Sequence, residues 1–322
     1  MSDLLFHGDN LPILRREFAE GSVDLCYIDP PFHSGRDHAG RTSEPEAAPA
    51  TFTDRWTWDA AAAAEWQEVL ANADDRQTAA SVALLRGLRE VIGAGGLLAY
   101  LASLTLRLAE IRRVLASHGT LYLHVDPQAA HYLKLVCDAL FLPGGGLFRN
   151  EIVWAYGSGG RGRRDFPWKH DTLLRYTKSR EWTFDLEAVA SPRGTARRNH
   201  LKRETDPDGR VFFSVRSAGK IYRYYADEGV PPSDVWTDLS HLHQRDPERV
   251  GYPTQKPEAL LTRVIASSSR PGDLVLDAYC GGGTTLVAAQ RLGRRWAGID
   301  QSAQAIAVTR ERLAALDPPT LH

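Results

Sequence analysis

No run of about eighteen apolar residues occurs in the chain, so nothing in it is expected to cross a membrane as a helix. Its first residues, Met1-Ser2-Asp3, do not open the basic-then-apolar pattern of a secretory signal. These absences lead to the expectation of a soluble, cytoplasmic protein with no membrane partner. Cysteine is scarce: Cys26, Cys137 and Cys280 stand far apart and make no C-x-x-C pair. That spacing argues against a disulfide framework and against a zinc site, and no metal is expected. Internal repeats and coiled-coil heptads are missing as well. Net charge is nearly absent, at −1 from 39 basic and 40 acidic residues, which at first argues against a nucleic-acid partner.

The distribution of charge reverses that impression. Residues 157–223 hold sixteen Lys and Arg against eight Asp and Glu, leaving the remainder of the chain acidic. Within this segment, Gly157-Ser158-Gly159-Gly160-Arg161-Gly162-Arg163-Arg164 joins backbone freedom to guanidinium groups suited to phosphate contact. A solvated surface loop is the plainer alternative.

A chain of 322 residues accommodates one large α/β domain with a smaller insertion. Short apolar strands alternate with longer amphipathic stretches, the pattern of a doubly wound, mostly parallel sheet. Strands are expected at 4–7, 23–28, 120–125, 151–156, 172–176, 274–276 and 296–299. Helices are expected at 60–70, 81–92, 97–117, 128–140, 256–267, 284–292 and 303–316. In the longest of these, Leu101, Leu104, Leu108, Ile111 and Leu115 recur every three or four residues, which predicts one buried face and a stop at Gly119. Asp208-Gly209 between two strand-like pieces predicts a hairpin. Residues 33–50 read as a loop placed to close over a ligand, or equally as a linker.

Two motifs carry the chemistry. Asp29-Pro30-Pro31-Phe32 ends an apolar strand with a carboxylate, two prolines and a ring. Prolines donate no backbone N–H and fix φ, so the carbonyls beside Asp29 form a stiff, acceptor-only surface. Such acceptors next to an aromatic ring suit a flipped base held by its exocyclic amino group. Asp277-Ala278-Tyr279-Cys280-Gly281-Gly282-Gly283-Thr284-Thr285 is a glycine-rich turn between a strand and a helix, the kind of backbone that approaches nucleotide-like ligands closely.

At these residues the chain resembles the β-class amino DNA methyltransferases, in which the D-P-P-F/Y motif precedes a target-recognition region and the cofactor motif comes last. The likeness extends over Leu5-Phe6-His7-Gly8-Asp9-Asn10, Phe52-Thr53-Asp54, the stretch 119–126, Asn150-Glu151-Ile152-Val153-Trp154, Tyr252-Pro253-Thr254-Gln255-Lys256-Pro257 and Gly298-Ile299-Asp300. Only residues 36–50 and about 185–235 fall outside it. The resemblance implies a Rossmann-like methyltransferase sheet with an inserted target-recognition region. The division it suggests is a catalytic half at 1–156, a DNA-binding insertion at 157–240 and a cofactor half at 241–322. It implies S-adenosylmethionine as cofactor and methyl transfer to adenine N6 or cytosine N4 in double-stranded DNA. Aspartate at the first tetrad position inclines the choice towards adenine. An RNA or protein-glutamine methyltransferase of the same fold, or a non-catalytic DNA-binding relative, are the alternatives. A homodimer and a companion restriction endonuclease are the protein partners such a family admits.

Carried over residue by residue, the resemblance gives Asp29, Pro30, Pro31 and Phe32 to catalysis. It gives Asp9, Asp29, Thr254, Lys256, Asp277, Tyr279, Cys280, Gly281, Gly283, Thr284 and Asp300 to the cofactor. Asp9 would meet the adenine amino group, Asp300 the ribose and Lys256 the methionine carboxylate, although Asp300 could instead cap the following helix and Lys256 could be solvated. Cys280 reads as a small packing residue. In the insertion, Arg161, Arg163, Arg164 and Lys169 are expected on phosphates, and Arg197, Arg198, Lys202 and Arg216 nearer base edges. The chain has no Pro-Cys dipeptide, which argues against carbon-5 cytosine chemistry and its thiolate. Ala278 and His33 depart from the family's usual proline and asparagine.

Overall fold

Apolar strands alternating with helices along the chain assemble into one eight-stranded sheet, seen in a computed structural model that describes residues 3–39, 51–157, 164–192, 201–243 and 245–316. Its strands are β1 (Leu4–His7), β2 (Val23–Ile28), β3 (Leu115–Val125), β4 (Leu147–Ala155), β5 (His170–Thr177), β6 (Val235–Trp236), β7 (Leu274–Asp277) and β8 (Arg295–Asp300). The spatial order is β1-β8-β7-β2-β3-β5-β4-β6. All neighbours are parallel except those of β5, which runs antiparallel to both β3 and β4. This is the doubly wound, mostly parallel α/β arrangement expected. Among the described residues no helix is long and apolar enough to cross a membrane.

Helices cover both faces: α1 (Asn10–Glu17), α2 (Ala60–Ala71), α3 (Ala79–Ile92), α4 (Gly96–Val114), α5 (Ala130–Phe141), α6 (Glu258–Ser268), α7 (Thr284–Arg291) and α8 (Ala303–Ala314). Successive strand residues point to opposite faces, and β3 shows the consequence. Leu121 and Leu123 join the core beneath α1 and α4, whereas Tyr122 packs with Leu260, Leu261 and Val264 of α6. Each fully buried side chain of this size contributes roughly 1.5 to 3 kcal/mol.

Three expectations are corrected. The long helix ends at Val114, not near Gly119, because Leu115 turns extended (φ −60°, ψ 135°) and starts β3. The apolar pattern misled because a buried strand continues it without a break. Gly119 lies inside that strand, where a Cβ would sit 3.0 Å from the Ala116 carbonyl oxygen. Second, α4 is buried on every side from Leu98 to Ile111, since it packs against α1, α2, α3 and α5. Third, α6 starts at Glu258 with extended Pro257 (φ −68°, ψ 140°) as its cap, which leaves Lys256 before the helix, as a residue preceding proline tends to be.

The chain divides into two compact units, residues 1–184 with 234–322 and residues 185–233. Strand β5, within the basic stretch of the sequence, belongs to the main sheet of the first unit. In the second, Lys202–Thr205, Val211–Ser217 and Lys220–Tyr225 form an antiparallel sheet. The turn between the first two carries Gly209 at φ +84°, the hairpin expected from Asp208-Gly209.

Candidate active site

Strand β2 delivers Asp29 to the rim formed by the C-terminal ends of the parallel strands. The Nζ of Lys256 donates to Asp29 Oδ2 at 2.5 Å and lies 5.2 Å from the centre of the Phe32 ring. Trp56 Nε1 donates to the Phe32 carbonyl at 3.2 Å and fixes the end of the tetrad. Behind Phe32 lies His124 of β3, with ring centres 6.1 Å apart. His124 is wholly buried, 2.8 Å from the Tyr27 hydroxyl and 3.1 Å from Asp171 Oδ2. The Tyr156 hydroxyl donates to the other Asp171 oxygen at 3.1 Å. Burial alone would raise the Asp171 carboxyl, but the hydrogen bond and charge of His124, with Lys256 and Tyr156, hold it below the usual range.

Directly beside β2, β7 ends in the glycine turn. Asp277 is buried beneath it and accepts from the Tyr279 amide at 3.0 Å and the Thr285 hydroxyl at 2.5 Å. Burial pushes its carboxyl up to about 7, opposed by those bonds and assisted by the charges of Asp29 and Asp300. Gly281 and Gly283 adopt φ of +49° and +78°. At Gly283 a Cβ would meet the Thr309 side chain at 2.6 Å, and at Gly281 it would meet the Tyr252 ring at 2.9 Å, so neither position admits a side chain without displacement. Asp300 closes the turn, its two oxygens accepting from the amides of Gly281 and Ser302, both at 2.8 Å. Ser302, not Asp300, caps α8. Cys280 is buried, and burial drives its thiol far above its ordinary range, which disfavours the thiolate form.

One cavity of about 590 Å³ unites the two motifs. Asp29, Pro30, Pro31 and Phe32 line it together with Thr254, Lys256, Asp277, Tyr279, Cys280, Gly281, Thr284 and Asp300. Asp9 and Gly283 are not in its lining. Asp9 caps α1, accepting from the Leu11 amide at 3.0 Å, and pairs with Arg107 at 3.0 Å. Thr254 holds φ at +54°, unusual for a β-branched residue. The Gln255 side chain ties down the same segment through the Glu248 carbonyl and the Val250 amide.

Sequence reasoning gave several residues no role of their own. Asn10 donates to the Ala278 carbonyl at 2.8 Å and accepts from Arg107 Nε at 2.7 Å, linking α1 to the glycine turn. An arginine amid the apolar residues of α4 was the available signal. Thr53, Asp54, Arg55 and Trp56 form a further wall of the cavity, and Tyr252 covers the turn. His124, set in an apolar strand, gave no pattern of its own.

Of the residues expected on DNA, Arg161, Arg163, Arg197 and Arg198 lie outside the described residues. Arg164 is exposed, and the Lys169 carbonyl accepts from the Tyr156 amide at 2.9 Å. Lys202 and Arg216 are exposed on the small sheet of the second unit, Lys202 paired with Glu204 at 3.0 Å.

A doubly wound sheet with a glycine turn and an acceptor tetrad opening on one cavity defines a nucleotide-cofactor protein of the α/β class. The chain belongs to the DNA methylase family, whose family model matches residues 23–311. Among curated proteins it is similar to the type II methyltransferase M.HpaI of Haemophilus parainfluenzae. Identity there is 33% over 207 residues, covering 64% of this chain and only 57% of that enzyme. It is 27% identical to the DNA adenine methyltransferase YhdJ of Escherichia coli K12 over 311 residues, 96% of this chain and 82% of that one. The fold is shared with the M1.HpyAVI–SAM complex at a TM-score of 0.52 and 15% identity, over 96% and 98% of the two chains.

Proposed function

We propose that this protein transfers a methyl group from S-adenosylmethionine (SAM) to the exocyclic amino group of a base flipped out of double-stranded DNA, adenine N6 before cytosine N4. The observation that carries this reading is the single cavity lined by both the acceptor tetrad and the glycine turn.

The residues suit the cofactor. The turn offers backbone at Gly281 and Gly282 where side chains would intrude, Asp300 keeps lone pairs for hydroxyl groups, and Lys256 supplies a cation for a carboxylate. SAM brings an electrophilic methyl on a sulfonium. The protein's own part is to hold and polarise the amine. Its lone pair is delocalised into the base ring, and hydrogen bonds accepted by the Asp29 carboxylate and the Pro30 carbonyl favour a tetrahedral nitrogen with a localised pair. Positioning and electrostatics then account for the rate, and no protein nucleophile takes part. Phe32 stacks on the base, and the Tyr27–His124–Asp171 network backs that ring. Lys256, paired with Asp29 here, would also suit the cofactor carboxylate, and Asp29 would then be left to accept from the amine.

The test is incubation of unmethylated plasmid DNA with the protein and methyl-labelled SAM, followed by mass spectrometry of the nucleosides. N6-methyladenine is the expected product. N4-methylcytosine would move the target base, and label absent from DNA would overturn the reading.

A further inference from the structure

Two large apolar side chains stand in solvent on the connection that follows β4. Phe166 is 96% exposed and Trp168 60% exposed, with Pro167 stiffening the chain between them. They belong to the connection between β4 and β5, whose base is closed by the bond from the Tyr156 amide to the Lys169 carbonyl. Because β4 runs parallel to β2 and β3, its C-terminal end opens onto the rim that carries Asp29. A ladder of rings leads from the tetrad to that end: Phe32 to His124 at 6.1 Å, His124 to Trp154 at 5.7 Å, Trp154 to Tyr156 at 5.4 Å.

A single exposed apolar residue needs no explanation. Two rings in three residues, on a proline-stiffened loop close to exposed Arg164 in sequence and at the sheet edge that also carries the acceptor tetrad, do need one. The surrounding charge selects the occupant. Exposed Arg164 follows Arg161 and Arg163 in sequence and, with Asp165 the one acidic residue among them, this stretch before the rings suits a polyanionic partner. A polyanion with an apolar interior reachable between stacked planes is a nucleic-acid duplex.

We propose that Phe166 and Trp168 are the wedge that enters the duplex stack where the target base leaves. The inference rests on the function proposed above. Extrusion of a base costs unpairing and unstacking, and an inserted ring restores part of the lost stacking. The wedge therefore matters for a fully paired target and loses its purpose where the target is already unpaired.

The experiment compares the parent protein with Phe166→Ala, Trp168→Ala and the double variant in single-turnover methyl transfer. The substrates are two short duplexes bearing the methylated sequence identified by sequencing of treated plasmid, one fully paired and one with an abasic site opposite the target base. The double variant is expected to lose about tenfold or more on the paired duplex and to come within about twofold of the parent on the abasic one. 2-Aminopurine at the target position should brighten with the parent and stay dim with the variant on the paired duplex. Both side chains are exposed, so the unfolding midpoint and SAM affinity should not move. Equal activity on the paired duplex, or an equal loss on both, would overturn the wedge. A parent dimer that dissociates in the double variant on sedimentation would also overturn it and make the rings a contact between copies. Failure of the functional reading is distinguishable, because it shows in the parent protein as no methyl transfer to either duplex.

Discussion

In the proposed reaction Asp29 is the carboxylate that meets the amine. It takes the Lys256 ammonium at 2.5 Å and faces the space where an amine would sit. A hydrogen bond that strengthens as the nitrogen becomes tetrahedral lowers the barrier more than it tightens binding. Asp29→Ala is therefore expected to lower the single-turnover rate by about a hundredfold or more, with SAM affinity in calorimetry changed far less. A rate within a few-fold of the parent would remove Asp29 from catalysis. Asp277 makes a different prediction. Its carboxyl is raised to about 7 in the folded protein, against about 4 in an unfolded chain. The folded state thus binds the proton more readily, and the group's contribution to stability is full below about pH 4 and lost as pH rises through 7. Asp277→Asn lacks that loss, so the stability gap between parent and variant should narrow or reverse from pH 5 to pH 8 in urea unfolding. A gap independent of pH would show that burial does not hold the proton there.

At the scale of elements, the loop between β4 and β5 carries the electrostatic prediction. Replacing Arg161, Arg163, Arg164 and Lys169 by alanine should weaken binding to cognate and scrambled duplexes alike. It should also reduce the dependence of log K on log salt by about one unit for each phosphate no longer neutralised. An unchanged slope would make the segment a solvated loop. Elements also show where sequence was legible and where it was not. β1 and β2 fall where apolar runs end in His7 and Ile28, because nothing apolar continues beyond them. The junction of α4 and β3 was hidden because Leu115 completes a helical stripe and opens a strand at once. The tetrad and glycine turn were readable because their chemistry is local and depends on adjacent residues. Asn10, Arg107 and His124 were not, since each acts through partners distant in sequence, such as Ala278 for Asn10 and Asp171 for His124.

At the scale of the molecule, the first unit contains every element that lines the cavity, and residues 185–233 form a compact unit of their own. Replacing that stretch with a flexible glycine-serine linker is expected to leave SAM affinity within about threefold, while sequence-dependent methylation of DNA is lost. Calorimetry and sequencing of treated plasmid are the measurements. Loss of SAM binding would show that the first unit does not stand alone, and retained sequence preference would locate recognition elsewhere.

The pairing of β1 with β8 and of β2 with β7 also governs how the protein comes into being. A ribosome releases residues 4–28 long before residues 274–300. Until the last strands emerge, β2 is an open sheet edge and the cavity has only one wall. Contacts of such separation close slowly, because the loop entropy is lost before the strands reward it. A nascent chain therefore lacks the glycine turn and Asp300 until residues 274–300 emerge, and a product ending before residue 274 is expected to show no SAM affinity in calorimetry. The cofactor side of the cavity is thus completed only when β7 and β8 join β2 and β1.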